Sequence, residues 1–261
     1  MLSERLKQEL NDIVNRILDR CELQWDNTLG KNELIKALLE TYAMDTNIPG
    51  HPFLGESEYK SDVFVAFMLD MRDSTKHLRQ AISARIASVS EMQRVFYEVS
   101  ALLPAMTKII REYKGSVTEY LGDGLLALFQ LPKQKEEQAE VLHNVINAAN
   151  TCLEALNQVV NPILNERFGL PKIEIGIGLA FSDAIISHFG LPPHTQVKVI
   201  GECIYFASKC SKGRNEIILH EYLKHIWPKS KKGQLRFTKR SFDKFDGYIV
   251  TKKSEIERNV G

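Results

Sequence analysis

The chain reads as a mixed α+β domain preceded by a helical extension, and three features predict it. "VFVAFMLD" (63–70) is a near-continuous apolar run of strand length, the pattern of a strand buried on both faces. "SVTEYLGDGLLALF" (116–129) is two apolar segments folded about Gly122-Asp123-Gly124, and Asp-Gly is among the strongest short hairpin signals. Around these lie long stretches whose apolar residues recur three or four apart, the spacing of helices.

Residues 2–43 open the chain as amphipathic helix, with Leu6, Leu10, Ile13, Ile17 and Leu18 on one face and "KNELIKALLETYA" as a second, shorter stretch. "TNIPGHPFLGESEYKSD" mixes proline and glycine without periodicity and reads as a linker. Residues 1–60 are therefore an N-terminal helical extension and linker, and residues 61–261 the main domain. After the first strand, "MRDSTKHLRQAIS" offers Asp73, Ser74 and Thr75 as helix caps. From Met92 to Ile110 the pattern is helical until Gly115 stops it. The hairpin follows, then a long helix from about Glu136 to Phe168. "KIEIGIGLAFSDAIISHFG" alternates as a strand and turn, and "TQVKVIGECIYFASKCSKG" as a strand, a turn at Gly201 and a helix. "NEIILHEYLKHI" is a short strand running into a helix, and "GYIVTK" a final strand. The resulting order, βα-ββ-αβ-(βα)β, is that of an α+β domain.

A chain of 261 residues can bury one sizeable core. With 44% hydrophobic and 26% charged residues and a formal net charge of +1, nothing points to nucleic acid or to a membrane surface. The lysine run "PKSKKGQLRFTKR" reads as a solvated loop. Cys21, Cys152, Cys203 and Cys210 show no CxxC spacing, so they read as buried thiols in a reducing compartment. The N-terminus is charged throughout, and no apolar run reaches the length of a membrane span. The expectation is a cytoplasmic protein.

Turn chemistry alone would account for Asp123. A second acid, Asp70, ends the first strand. If the two strands are neighbours, both carboxylates emerge at one edge, an arrangement suited to hard divalent cations. A pair of metals roughly 3.5–4 Å apart can activate an attacking oxygen and stabilise a leaving one. The amides of Met71 to Thr75, at a helix start, would hold a triphosphate. Together these predict phosphoryl chemistry on a nucleoside triphosphate.

"FVAFMLDMRDST", "GSVTEYLGDGLLALF", "GLAFSDAIISHFG" and "VKVIGECIYFASKCSK", in that order, resemble the core blocks of class III nucleotide cyclases. The resemblance covers roughly residues 62–250; the acid-bearing blocks match closely and the later two in outline. It implies a ferredoxin-like βαββαβ core working as a head-to-tail homodimer with composite sites at the interface. Asp70 and Asp123 fall on the two metal-binding aspartates, and Met71 would add its backbone carbonyl. The ions would be two Mn²⁺ or Mg²⁺. The ribose 3′-hydroxyl would attack the α-phosphate, with pyrophosphate leaving.

Elsewhere the chain departs from the family pattern. The purine-reading position, Lys in adenylate and Glu in guanylate cyclases, is Glu119; its partner is Lys198, which fits neither purine code. A Glu and a Lys so placed could also simply pair as ions. The ribose-orienting Asn falls on Tyr205 and the transition-state Arg on Lys209. Lys209 keeps the charge without the bidentate fork. Tyr205, unless it is only a core aromatic, shrinks the space for a two-ring base. Triphosphate contacts are expected from Asp73, Ser74 and Thr75 and from Lys244, with Lys239 the other candidate. The pattern resembles the pyrimidine cyclases of bacterial Pycsar antiphage signalling, which implies UTP as substrate and cUMP as product. CTP, a purine cyclase with Glu119 favouring guanine, and a silent nucleotide-binding regulator are the alternatives.

Overall fold

The computed structural model describes residues 2–27, 48–52, 54, 60–77, 89–189, 196–229, 233–242 and 244–253. The short helix expected at residues 31–43 lies outside them. In chain order the elements are α1 (Glu4–Asn27), β1 (Lys60–Met71), α2 (Ser74–His77), α3 (Glu91–Glu112), β2 (Ser116–Tyr120), β3 (Gly124–Gln130) and α4 (Lys135–Ala155). A π-helical turn (Leu156–Val160) leads into α5 (Asn161–Phe168), followed by β4 (Ile175–Phe189), β5 (Gln196–Gly201) and α6 (Glu202–Cys210). β6 (Glu216–His220), α7 (Glu221–His225), β7 (Leu235–Ser241) and β8 (Asp246–Lys252) complete the chain.

The strands form one eight-stranded sheet in the order β2-β3-β1-β4-β6-β8-β7, with β5 paired to β4. Its first four strands, β2-β3-β1-β4, carry the βαββαβ connectivity expected of the core, and the fold is α+β. β1 is buried on both faces, as its unbroken apolar run requires: Phe64 to Met68 are all 6% exposed or less.

Three segments differ from the sequence reading. The segment expected as a strand and turn is a single 15-residue strand, β4. The lysine-rich stretch expected as a solvated loop contains β7, paired along its length with β8. β7 is the last strand of the sheet, and its exposed Arg236, Lys239 and Arg240 suit an edge that must not recruit further strands. The long helix is not α-helical throughout: a π turn, with the backbone still right-handed on both sides, separates α4 from α5 just before Pro162.

By packing the chain divides into two compact units, Met1–Thr46 with Met71–Ile109 and Thr151–Glu174, and Asn47–Asp70 with Ile110–Asn150 and Ile175–Gly261. In the first, α1 buries Leu6, Leu10, Val14, Ile17 and Leu18; Val14 takes the place expected of Ile13. Arg167 of α5 clamps this helix, donating to Asp19 at 2.7 Å and Glu22 at 2.8 Å. The same unit holds a buried carboxylate, Glu98, which accepts from Arg94 Nε at 2.8 Å and lies 2.8 Å from His77 Nδ1. Removing one partner of such a buried pair typically costs about 3–5 kcal/mol.

In the second unit, Phe64, Ala66, Met68, Leu126, Leu128, Ala180, Ile186 and Ala207 form one core cluster. α6 lies directly on β4: a Cβ at Gly178 would stand 1.9 Å from the Ala207 carbonyl. Only glycine permits that approach, and it fixes the helix that carries Tyr205 and Lys209.

Candidate active site

β1 and β3 pair antiparallel from Phe64 opposite Gln130 to Asp70 opposite Gly124. Asp123 precedes Gly124 directly, so the register brings the two acids to one edge of the sheet. The approach is close: a Cβ at Gly124 would fall 2.4 Å from the Leu69 carbonyl and 3.5 Å from the Asp70 carboxylate.

The turn has a different chemistry from the expected Asp-Gly one. The Leu121 N–H donates to the Gly124 carbonyl at 2.9 Å, leaving Gly122 and Asp123 as the two loop residues. Gly122 has φ +73°, and neither Asp123 nor Gly124 has a positive φ. A type I′ turn needs positive φ at both loop residues, whereas the Gly-X type II′ turn needs it only at the first. The backbone therefore makes no demand for aspartate at 123, and the turn does not explain its carboxylate.

Among the described residues no group of three or more His, Cys, Asp or Glu side chains gathers as a metal cluster. Two carboxylates and a backbone carbonyl still suit Mg²⁺ or Mn²⁺ in nucleotide chemistry. Ions of that kind are commonly held by one or two carboxylates, with water and substrate phosphate filling the remaining positions. Met71, the last residue of β1, is 2% exposed.

The residues that follow serve less freely than the sequence suggests. The Arg72 N–H donates to the Glu174 carbonyl at 2.8 Å, so this amide is not open to a phosphate as expected for Met71 to Thr75. Asp73 has φ +59°, its carbonyl accepts from Lys76 and His77, and its carboxylate pairs with Lys76 at 3.0 Å. Ser74 and Thr75 open α2, a single turn among the described residues.

The two positions expected to read the base meet. Lys198 Nζ lies 2.8 Å from Glu119 Oε2, with the side chains 35% and 24% exposed. They are brought together from β5 and β2, far apart in sequence. Tyr205 is 53% exposed and so is no core aromatic. Lys209, one helical turn on, holds its ammonium 5.2 Å from the Tyr205 ring centroid, within cation–π range. Lys239 is bound to Asp246 at 2.6 Å, which raises its pKa. Lys244 is exposed in the β7–β8 turn.

Cys152, Cys203 and Cys210 are free, buried thiols, as the sequence suggests. Burial pushes the Cys210 thiol up to about 12 and raises Cys152 and Cys203 as well. No described helix is long and apolar enough to cross a membrane.

No family model matches this chain, and no curated protein matches it either. Solved structures do. The guanylyl cyclase Cya2 superposes with a TM-score of 0.61 at 16% identity, over 75% of this chain and 95% of that one. The adenylyl cyclase CyaB from P. aeruginosa gives 0.59 at 16% identity, over 76% and 98%. The catalytic core of a rhodopsin-guanylyl cyclase with converted specificity, in complex with ATPalphaS, gives 0.56 at 16% identity, over 76% and 100%. The fold is that of class III nucleotide cyclase catalytic domains.

Proposed function

We propose that the protein is a nucleotide cyclase that converts UTP into 3′,5′-cyclic UMP and pyrophosphate. The observation that carries this reading is the Asp70–Gly124 register, with an aspartate beside it that the turn does not require. The shared fold supports the reaction class, and the altered positions support the pyrimidine.

Asp70, Asp123 and the Met71 carbonyl would hold two Mn²⁺ or Mg²⁺ ions. When bound, the ions would supply Lewis acidity at the phosphate and at the ribose 3′-hydroxyl. Lys209 would set a positive charge against the phosphorane oxygens as charge builds there. Lys244 would bind the triphosphate tail. Tyr205, projecting from α6, would narrow the base site and disfavour two-ring bases.

The Glu119–Lys198 pair suits a pyrimidine edge. Lys198 occupies Oε2 of Glu119, leaving Oε1 to accept the uracil N3–H, while remaining ammonium hydrogens donate to a flanking carbonyl. Cytosine would use the same pair in reverse, its N3 accepting from Lys198 and its amino group donating to Glu119. CTP is therefore the second reading.

Two copies of the chain would complete the site head to tail, as the family resemblance implies. A cytoplasmic second-messenger role in antiphage defence rests on that resemblance too. The test is incubation of purified protein with ATP, GTP, CTP and UTP separately in Mn²⁺, followed by chromatography. Cyclic UMP with pyrophosphate is expected. A cyclic purine would overturn the pyrimidine assignment, and no turnover of any triphosphate would overturn the enzyme.

A further inference from the structure

Tyr205 stands exposed on α6, but the half-buried ring beside it joins an array built round a buried histidine. Phe206 lies nearly face to face with His220, at 4.0 Å between centroids and 20° between planes. It also meets Tyr205 and Phe245 edge-on, each at 5.3 Å. Phe245 stacks on Phe242 at 4.6 Å and 10°, and the Phe242 N–H donates to the Phe245 carbonyl at 2.9 Å. These last two residues close the turn between β7 and β8, and Lys244 sits between them in the chain.

His220 is the centre of the array and is 1% exposed. Its Nδ1 accepts from the Tyr222 N–H at 3.4 Å, so the neutral ring carries its proton on Nε2. That nitrogen is buried without a partner, and burial lowers the pKa of the ring despite Glu221 and Glu202 nearby. An aliphatic side chain would fill this space without stranding an N–H. What imidazole adds is the Nδ1 acceptor that caps α7 at Tyr222 and a flat face, and Phe206 uses that face.

We infer that the Phe206–His220–Phe245 stack is a positioning element of the candidate site, fixing the turn that carries Lys244 to the helix that carries Tyr205 and Lys209. The inference rests on the cyclase reading above and gives its two lysines a common mount. Lys239 is unsuited to this role because Asp246 holds it. Lys209 and Lys244 are ion-paired with no described residue, and both ammonium groups remain available to phosphate oxygens.

A double-mutant cycle on the full chain tests this. Phe245→Leu and Lys244→Ala, separately and combined, are assayed with UTP and Mn²⁺. Each single change is expected to raise KM about tenfold, with the combined variant no worse than either, because without the ring the lysine is no longer held in place. Phe245→Tyr, which keeps the ring, is expected to restore the wild-type KM. Losses that multiply to about a hundredfold would overturn the inference, since independent sites behave that way. So would an unchanged KM in Phe245→Leu. Should Phe245→Leu not fold, Phe242→Leu loosens the same turn from its other side and takes its place in the cycle.

A wild type that cyclises no triphosphate would sink the cyclase reading by itself. The same cycle is then read as calorimetric binding of inorganic tripolyphosphate with Mn²⁺. Non-multiplying losses there support the stack; multiplying losses, or no binding by the wild type, overturn it.

Discussion

The two ends of the β1–β3 ribbon treat their carboxylates in opposite ways. At the entry to β1, Asp62 is taken up by the protein: His51 Nε2 lies 2.9 Å away, Gln130 donates at 2.7 Å and the Val63 N–H at 2.8 Å. At the far end, Asp123 accepts no hydrogen bond from any described residue, and the register sets it beside Asp70. An acid with a structural task is ringed by donors of the fold. Asp123, on a turn that does not need it, has no such ring, and a cation shared with Asp70 would supply what the fold does not.

The largest expected effect breaks the comparison at its functional end. Asp70→Ala or Asp123→Ala should lower the rate of product formation by on the order of 10³-fold, the loss of several kcal/mol of transition-state stabilisation. Asp123→Ala should leave the thermal midpoint nearly unchanged, because Gly122 alone satisfies the turn and surface changes usually stay within about 0.5 kcal/mol. Initial rates and thermal melts measure both. Full activity in either variant would dispose of the metal site.

Next comes α6, whose cation is mounted on a helix rather than on the ribbon. Lys209→Ala should reduce kcat by about 10²-fold, the typical loss on removing one group that stabilises a developing oxyanion. Lys209→Arg should retain most of the rate, since it restores the charge with added donors. Tyr205→Asn should open the base site and narrow the preference for UTP over GTP by about tenfold. Ratios of kcat/KM for the two nucleotides decide it, and an unchanged ratio would assign Tyr205 to packing alone.

The placement of Asp70 and Asp123 at one end of the ribbon was legible in the sequence because strand burial and turn residues are local signals. "VFVAFMLD" and the hairpin each announce themselves within a few residues, and their pairing follows from topology. Which residue of Gly122-Asp123-Gly124 takes the left-handed conformation was not legible, since Gly-Asp and Asp-Gly turns share the same letters. β7 was hidden because an edge strand is protected by charge, and its Arg236, Lys239 and Arg240 imitate a loop. The ring stack was hidden for another reason: Phe206, His220 and Phe245 come from a helix, a strand and a turn, and no spacing rule connects them.

A smaller effect is expected at the Glu119–Lys198 pair. Its side chains are about a third exposed or less, so Glu119→Gln should change stability by less than about 1 kcal/mol. Selectivity between UTP and CTP should still shift by about tenfold, because the carboxylate that accepts from uracil becomes an amide that can also donate. Competition assays with both nucleotides present read the shift directly. No change in the ratio would mean that Glu119 and Lys198 serve only each other.

Smallest in activity, and the sharpest control, is Asp62. Burial alone would raise its pKa, but the hydrogen bonds from His51, Val63 and Gln130 outweigh that and hold it below its ordinary value of 3.8. A carboxylate depressed in the folded state adds stability that is complete above the unfolded pKa and disappears as pH falls through the folded one. Wild type and Asp62→Asn should therefore differ by about 1–2 kcal/mol near neutral pH, and their stabilities should converge below about pH 4. The asparagine variant should cyclise nucleotide at the wild-type rate throughout, which denaturant titrations and rate assays at matched pH can establish. If it lost activity in step with Asp123→Ala, the two ends of the ribbon would not be doing different work, and exposure to donors would no longer separate a structural acid from a ligand.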